Sequence, residues 1–247
     1  MTELANRCAL VTGGSRGIGA SIALALADKG ADVAITYERA SDRAAEVVRA
    51  IEAKGRRGLA IQANSADSAA VQRSIAETVA GLGGLDILVN NVGTARLGAF
   101  VDLSLADVDA LLDINVRAAV LATQAAIPHL GRGGRIITTG SNAAERGAFP
   151  GLAVYALTKS ALLGFTRHLA RELGPQGITV NLVQPGPINT DMNPADGGEL
   201  ADGNKRLTAL GRYGEPAEIA AVVAFLAGPA ASFMTGSIVT VDGGYNA

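Results

Sequence analysis

Short apolar segments alternate with longer helical patterns along the whole chain, and this alternation constrains the fold more than any other feature. The segments predicted as strands are residues 8–12, 32–36, 58–62, 87–90, 135–139, 179–183 and 238–241. The predicted helices are residues 18–29, 42–54, 69–82, 105–127, 154–173 and 216–227. Several strands are continuously apolar, as parallel strands covered on both faces are. The order predicts an α/β fold: a single Rossmann-type, doubly wound parallel sheet of about seven strands with helices on both faces.

The chain is predicted to be one domain over residues 1–247, because no composition break or internal repeat divides it. Gly30, Gly55 and Gly174 follow predicted helices at positions where left-handed caps are expected. Residues 185–210 depart from the pattern, with three prolines, four glycines and little apolar periodicity. A long connection after the carboxyl end of a strand is typically functional. We therefore expect a substrate lid with short helical pieces around residues 187–210.

Composition and charge limit the partners of the chain. Apolar residues make up 49% of it and charged residues 18%, which describes a globular core and excludes disorder. The net charge is −2 without a dense Lys/Arg block, so neither nucleic acid nor an anionic membrane is an expected partner. Residues 1–6 lack the features of a signal peptide, and the longest apolar stretch, residues 118–127, is too short to span a bilayer. We expect a cytoplasmic protein.

Cysteine and histidine are too sparse to indicate a metal site. Cys8 is the only cysteine, and it lies in an apolar segment as a small core residue does. His129 and His168 have no companions at metal-ligand spacing. No metal cofactor is expected.

A glycine-rich turn joins the first predicted strand to the first helix, with the spacing G-x-x-x-G-x-G. Gly13 permits the tight turn, Gly17 lets the backbone approach a pyrophosphate, and Gly19 allows close packing. The helix N-terminus adds amide donors and the positive end of its dipole. The alternative is a turn that serves only sheet-to-helix geometry, but the strand–turn–helix context favours dinucleotide binding. The residues expected to bind are Gly13, Ser15, Arg16, Gly17, Ile18 and Gly19.

The end of the second predicted strand bears on which dinucleotide is bound. A carboxylate at this position normally accepts a hydrogen bond from the ribose 2′-hydroxyl of NAD. Here Tyr37 takes the position, Glu38 and Arg39 follow, and Arg16 is close enough to share a phosphate. Arginines suit the 2′-phosphate of NADP, whereas a carboxylate repels it. We expect NADP(H) over NAD(H); the alternatives are that Glu38 selects NAD, or that both arginines are solvated surface residues.

Tyr155 and Lys159 lie one helical turn apart, with Ser141 fourteen positions upstream. At i and i+4 on one helix face, the tyrosine and lysine side chains are neighbours. A free phenol has a pKa of about 10, and we expect the adjacent ammonium to lower it towards the working range. A serine hydroxyl beside them can hold a carbonyl oxygen against the phenol. The three residues predict proton transfer to or from a ketone or secondary alcohol.

Together these motifs resemble the classical short-chain dehydrogenase/reductase family over essentially the whole chain. The matching residues are Thr12 to Gly19, Asn90 to Gly93, Asn115, Ser141, Tyr155, Lys159, Pro185-Gly186 and Val241 to Gly244. The subgroup similar to 3-oxoacyl-(acyl carrier protein) reductases matches best. The resemblance implies an NAD(P)(H)-dependent oxidoreductase and a homotetramer. Surplus apolar residues on the predicted helices 105–127 and 154–173 also favour a subunit interface.

The resemblance implies a role for each matching residue. Tyr155 is the general acid in reduction and the base in oxidation, while Lys159 lowers its pKa and holds the nicotinamide ribose. Ser141 orients the substrate oxygen, and Asn115 anchors a water that relays protons to Lys159. The remaining cofactor contacts are expected from Tyr37, Arg39, Asn64, Ser65, Asn91, Gly93, Pro185, Gly186, Ile188 and Thr190.

Three positions depart from the family pattern. Val92 replaces a small alanine and is expected to crowd the backbone near the cofactor. Asn64-Ser65 stands where an Asp-Val pair normally holds the adenine, and Pro187 stands where a bulkier residue is common. These departures leave the overall resemblance intact.

The substrate stays open at this point. An acyl carrier protein needs basic residues near the cleft mouth; Arg132 fits, but Gln176 stands where arginine is common, and the predicted lid is acidic. A free small-molecule ketone, sugar or hydroxy acid derivative is an equal alternative. From a different class, a non-catalytic NADP(H)-sensing protein could use the same scaffold, although the complete catalytic set argues against it.

Overall fold

The computed structural model describes residues 3–247. Its strands are β1 (Cys8–Val11), β2 (Asp32–Tyr37), β3 (Gly58–Gln62), β4 (Ile87–Asn90), β5 (Arg135–Thr139), β6 (Thr179–Pro185) and β7 (Ile238–Val241). Its α-helices are α1 (Gly17–Asp28), α2 (Ser41–Glu52), α3 (Ser68–Leu82), α4 (Leu105–Leu112), α5 (Ala118–Ala126), α6 (Ala153–Leu173), α7 (Glu199–Leu207) and α8 (Pro216–Ala227). The prediction that residues 1–6 are not a signal peptide falls partly on residues 1 and 2, which lie outside the described part.

The sheet formed by residues 3–247 has seven parallel strands in the order β3-β2-β1-β4-β5-β6-β7. The chain winds outward from β1 to β3, crosses back to β4, and then winds the other way to β7. The predicted doubly wound α/β sheet is therefore confirmed. The winding reverses between β1 and β4, and open parallel sheets bind ligands at such a switch point, beyond the carboxyl ends of the strands.

Side chains of β1 alternate between the two faces of the sheet and show why its sequence is apolar throughout. Ala9 and Val11 pack into one core with α1, α2 and α8. Cys8 and Leu10 pack into the opposite core with α3, α5 and α6. Because both cores exclude water, a polar residue on either face of β1 would be desolvated. Cys8 is thus a core residue, as expected.

The end of α6 differs from its prediction. Gly174 is not a left-handed cap: its φ is −52°, and the chain continues into a 3₁₀ turn over Gly174–Gln176. Pro175 fits this turn because the first amide positions of a helix need no partner. Gly177 supplies the left-handed conformation instead, with a φ of 76°. At the other two predicted caps, Gly30 and Gly55 are left-handed.

The predicted helix 105–127 is interrupted. Between α4 and α5, residues Asp113–Arg117 form a π-helical turn, which places one extra residue in the helical repeat. Apolar periodicity does not reveal such a turn, because the residues on either side keep a helical pattern. The interruption matters for the site, since π turns are frequent at functional positions.

The helical run Leu105–His129 includes the apolar stretch 118–127 and is longer than it. Over its most apolar 18 residues it has a mean hydropathy of 1.3, and by length and composition alone it could cross a membrane. Core helices of α/β proteins meet the same criterion. In this structure Ala118, Ala122 and Ala126 pack into the core against the sheet.

Candidate active site

A cleft of about 640 Å³ opens at the carboxyl ends of the central strands. Its lining includes every residue predicted for catalysis or cofactor binding except Asn115. Those residues are Gly13, Ser15, Arg16, Gly17, Ile18, Gly19, Tyr37, Arg39, Asn64, Ser65, Asn91, Gly93, Ser141, Tyr155, Lys159, Pro185, Gly186, Ile188 and Thr190. The volume lies within the range of small-molecule and cofactor pockets. Residues from seven separate stretches of sequence are thus brought into one concave site.

The glycine turn leaves the cleft wall bare of side chains. Gly17 has a φ of 54°, in the left-handed region that favours glycine. A Cβ at Gly19 would lie 2.3 Å from the Gly13 carbonyl oxygen and 2.5 Å from Asn91 Nδ2, so a side chain cannot be accommodated there without a shift. Because α1 begins at Gly17, its unpaired first amides lie at this wall.

The loop after β4 is tied to the glycine turn by hydrogen bonds. Thr12 Oγ1 accepts from the amides of Asn91 and Val92 at 3.0 and 3.1 Å. Asn91 Nδ2 donates to the Thr12 carbonyl oxygen at 3.0 Å. A Cβ at Gly13 would lie 3.3 Å from Val92 Cβ, so the bulkier Val92 fits because Gly13 has no side chain.

Charged pairs flank the end of β2. Arg39 Nη2 lies 3.0 Å from Glu38 Oε1. Arg16 Nη1 lies 3.6 Å from Asp191 Oδ2, and the same oxygen accepts a hydrogen bond from Arg43 Nη1 on α2. Both arginines predicted as phosphate ligands therefore line the cleft, and each is paired with a carboxylate.

Ser141, Tyr155 and Lys159 converge at the other end of the cleft. Lys159 is 4% exposed, and its Nζ donates to the Thr139 carbonyl oxygen at 3.0 Å. The same nitrogen lies 5.9 Å from the centroid of the Tyr155 ring. Ser141 follows β5, and its Oγ accepts from the Ala143 amide at 3.2 Å. α6 thus presents the tyrosine and lysine one turn apart, opposite the serine.

Burial dominates the titration of these groups. It lowers the pKa of the Lys159 ammonium to about 8. It raises the pKa of the Tyr155 phenol above its ordinary value, and a hydrogen bond with Ser141 offsets this only in part. The expectation of a lowered Tyr155 pKa is therefore wrong for the protein alone, because it counted the ammonium and omitted desolvation. At neutral pH the phenol is protonated.

Asn115 lies in the π turn, 2% exposed and behind the cleft wall. Its Nδ2 donates to the Thr94 carbonyl oxygen at 2.9 Å and to Thr158 Oγ1 at 3.0 Å. Its Oδ1 accepts from the Thr94 amide at 2.8 Å. Thr158 Oγ1 in turn donates to the Tyr155 carbonyl oxygen at 2.7 Å. Asn115 therefore braces the helix that carries Tyr155, while its neighbour Ile114 lines the cleft.

The segment predicted as a lid is held by a chain of polar contacts. Tyr213 Oη donates to Asn193 Oδ1 at 3.0 Å and accepts from Asn204 Nδ2 at 2.9 Å. Tyr245 Oη donates to Asn204 Oδ1 at 3.2 Å. Asn204 lies on α7, a short helical piece of the kind expected in this segment. Asn193 lines the cleft and Tyr245 follows β7, so these hydrogen bonds connect the cleft to the segment after β7.

Several cleft residues do not follow from the sequence analysis. They are Thr36, Ala63, Ala66, Thr94, Arg96, Ile114, Thr139, Gly140 and Asn193. Thr94 and Arg96 directly follow the Asn90-to-Gly93 motif, and this proximity is the signal that could have found them. Arg96 Nη1 donates to Thr94 Oγ1 at 3.2 Å, and its Nε lies 3.4 Å from Asp107 Oδ1.

Residues that could hold a metal ion do not cluster in the described part of the chain. Within residues 3–247, no group of three or more His, Cys, Asp or Glu side chains is arranged for metal binding. The polar groups that line the cleft are hydroxyls, amides, an ammonium, guanidiniums and the carboxylates of Glu38 and Asp191.

The fold is a doubly wound parallel sheet, and its cleft brings together Ser141, Tyr155 and Lys159. This combination is typical of dehydrogenases and reductases. A family model described as enoyl-(acyl carrier protein) reductase matches residues 13–246. A short-chain dehydrogenase from Burkholderia cenocepacia, whose crystal structure is a complex with NADP, is 54% identical; the match covers 99% of this chain and 100% of that one, with a TM-score of 0.98. The chain belongs to the short-chain dehydrogenase/reductase family.

Two curated relatives differ in what they are described as doing. The cyclic-di-GMP-binding biofilm dispersal mediator protein of Escherichia coli is 42% identical over 247 residues, with both chains covered fully. The 3-oxoacyl-[acyl-carrier-protein] reductase FabG of Staphylococcus aureus is 42% identical over 240 residues, covering 96% of this chain and 97% of the relative. The similarity to 3-oxoacyl-(acyl carrier protein) reductases expected from the sequence is confirmed.

Proposed function

We propose that this family member is an NADP(H)-dependent oxidoreductase that interconverts a ketone and a secondary alcohol. The observation that carries the proposal is the convergence of Ser141, Tyr155 and Lys159 at one end of a cleft that has the glycine turn at its other end. The NADP complex of the 54%-identical relative supports the same cofactor here.

The residues present fit a dinucleotide. The cleft volume of about 640 Å³ is sufficient, and side chains are missing where an extended cofactor needs backbone contact. A Cβ at Gly93 would lie 3.3 Å from Lys159 Nζ, so glycine keeps open the space in front of the ammonium. When bound, the cofactor supplies or accepts the hydride. The proposed cofactor ligands are the cleft residues predicted from the sequence.

The proton is handled by the chain itself. Ser141 Oγ donates a hydrogen bond to the substrate oxygen and holds it against Tyr155 Oη. In reduction, Tyr155 gives its proton to that oxygen, and in oxidation it removes the proton from the alcohol. The Tyr155 phenol is protonated at neutral pH, which is the state that reduction requires. Burial raises its pKa, so proton donation needs a group that stabilises the phenolate. Lys159 holds the nicotinamide ribose and stabilises the phenolate after proton transfer.

Asn115 completes the proposed proton path through its backbone. Its side chain is engaged by Thr94 and Thr158, so a relay water is better held by its carbonyl oxygen. A π turn interrupts the regular ladder of helical hydrogen bonds and can leave such a carbonyl available.

The proposed domain organisation is a single unit over residues 1–247 with a substrate lid over residues 187–210. Asp191, Met192 and Asn193 line the cleft, and this supports a lid that begins beside the site. Met192 is 60% exposed, so it can move with the lid to contact a bound substrate.

Initial rates on a panel of carbonyl substrates, measured with NADPH and NADH in parallel, test the proposal. We expect NADPH oxidation on at least one class of ketone and a higher kcat/KM with NADPH than with NADH. No turnover with either cofactor across the panel would contradict the proposed activity.

A specific acyl thioester reductase is a second candidate. The relative FabG favours it. Arg132 lies exposed on the loop before β5, at the amino end of that strand and not at the cleft mouth, so an acidic carrier protein that contacts it would reach beyond the cleft of the same chain. Comparing rates on a carrier-bound 3-oxoacyl substrate with rates on free ketones decides between them. A lower KM for the carrier-bound form that is lost in Arg132→Ala supports the carrier protein.

A non-catalytic binding role is a third candidate. It draws on the Escherichia coli relative, which is described as binding cyclic-di-GMP. Calorimetric titration of that dinucleotide, with and without NADPH, tests this role. Tight binding of either nucleotide with no turnover on the carbonyl panel would favour a sensor over an enzyme.

We also propose a cytoplasmic homotetramer. Leu105, Val120 and Leu157 are exposed apolar side chains on the helical run Leu105–His129 and on α6, as expected of a face that another subunit covers. Light scattering after size exclusion should give the mass of four chains of 24.9 kDa. A monomer at micromolar concentration would contradict the tetramer.

A further inference from the structure

We propose that Asp191 is a specificity-determining residue for the cofactor. Its carboxylate occupies the place beside Arg16 that a 2′-phosphate needs, and it thereby weakens the preference for NADP(H) over NAD(H). The inference rests on the proposed function, because it concerns the dinucleotide bound in the same cleft.

The beginning of the lid brings Asp191 to the glycine turn. A Cβ at Gly17 would lie 3.4 Å from Thr190 Cγ2, so the turn and the lid are in near contact at this point. The next residue, Asp191, then reaches Arg16 in the turn and Arg43 on α2. All three side chains are more than half exposed, so they remain accessible to a bound phosphate.

Arg16 is well placed for a 2′-phosphate. The adenosine ribose binds at the end of the second strand in doubly wound sheets. The Gly14 amide donates to the Thr36 carbonyl oxygen at 2.9 Å, which joins the glycine turn to that strand end. Arg39, the other cation lining the cleft at this end, is paired with Glu38 next to it in sequence. The contest for Arg16 between Asp191 and a phosphate therefore bears directly on selectivity.

Asp191 and Arg43, which form one ion pair, have opposite effects on the affinity for NADPH. A 2′-phosphate and the Asp191 carboxylate compete for the same guanidinium and repel each other. NADH has no 2′-phosphate and meets no such repulsion at this point. Arg43 holds Asp191 from outside the cleft and partly neutralises its charge. Asp191 therefore opposes the 2′-phosphate, and Arg43 relieves that opposition.

Equilibrium titration of NADPH and NADH, followed by dinucleotide fluorescence at low salt, tests the proposal. We expect Asp191→Asn to tighten NADPH binding by about three- to tenfold and to change NADH binding by less than about twofold. Arg43→Gln should weaken NADPH binding by about two- to threefold, again with little effect on NADH. Added salt should shrink both effects. Asp196→Asn is the matched control, since it removes an exposed lid carboxylate outside the ion pairs of residues 3–247.

A different pattern of affinities is expected if the ion pair of Asp191 and Arg43 only holds the lid in place. Asp191→Asn and Arg43→Gln break the same ion pair. With such a purely structural role, both variants would change the affinities for NADPH and NADH in the same direction. That result, or an unchanged ratio of NADPH to NADH affinity in Asp191→Asn, overturns the proposal. If Asp191→Asn binds both dinucleotides with an unchanged ratio of affinities, the proposed function stays intact and only the role of Asp191 is excluded. If the wild-type protein binds neither dinucleotide, both the proposed function and the role of Asp191 are overturned.

Discussion

Lys159→Met is expected to stabilise the protein at neutral pH while removing a group proposed for the reaction. Burial lowers the pKa of Lys159 from 10.5 to about 8. At 1.36 kcal/mol per pKa unit, the folded protein holds the charged ammonium at a cost of about 3 kcal/mol. Methionine fills similar space without a charge, but it loses the hydrogen bond to Thr139, which contributes about 1–2 kcal/mol. The net expectation is a gain of about 1–2 kcal/mol in the free energy of unfolding.

The gain depends on pH in a defined direction. Because the folded-state pKa lies below the unfolded value, the unfolded chain binds more protons between about pH 8 and pH 10.5. The wild-type protein therefore gains stability as the pH rises through this window, and Lys159→Met does not. The advantage of the variant is present below about pH 8 and is lost by about pH 10.5. Tyr155 also titrates when alkaline, but both proteins contain it.

Urea unfolding of both proteins at neutral and alkaline pH, at equal protomer concentration, measures the difference. Thermal scans give a second reading, since 1 kcal/mol shifts the Tm of a chain this long by about 2–4 °C. A variant less stable than the wild type at neutral pH would refute the reasoning. A stability difference that is the same at both pH values would refute it too.

Three further substitutions test the site. Tyr155→Phe should lower kcat by about 10²–10⁴-fold in initial-rate assays and leave NADPH affinity almost unchanged; full activity would exclude Tyr155 as the proton donor. Gly19→Ala places a Cβ 2.3 Å from the Gly13 carbonyl oxygen, so the glycine turn must shift. Fluorescence titration should then show NADPH affinity lowered by more than about tenfold, and an unaltered affinity would count against the turn as the binding site of the cofactor. Asn115→Leu leaves the partly buried backbone groups of Thr94 and the buried hydroxyl of Thr158 without their side-chain partner. It should lower the free energy of unfolding by about 2–4 kcal/mol in urea; a loss below about 0.5 kcal/mol would show that these bonds stabilise little.

The features that could be predicted from the sequence depend on local spacing. Tyr155 and Lys159 are found because i and i+4 positions share a helix face in any context. Gly13, Gly17 and Gly19 are found because a strand, a tight turn and a helix start lie within one short segment. Strands such as β1 are found because burial on both sheet faces makes them continuously apolar.

The features that could not be predicted depend on contacts between distant segments. Asp191 and Arg43 are 148 positions apart, and neither lies in a recognisable motif that would pair them. The direction of the Tyr155 pKa required the degree of burial, which spacing does not give. At the end of α6, two glycines compete for the role of cap, and the tertiary path of the chain after Pro175 selects Gly177.

The π turn at Asp113–Arg117 fixes the rotational phase between the two halves of one helical run. Each residue of an α-helix turns the chain by about 100°, so one residue more or less rotates everything that follows by that angle. The turn lets Leu111 before it and Ala118 after it both be buried while Asn115 reaches Thr94. Deleting a single residue here would turn the alanines of α5 away from the sheet or withdraw Asn115 from its partners. The length of this turn is therefore more tightly constrained than the identity of its exposed side chains.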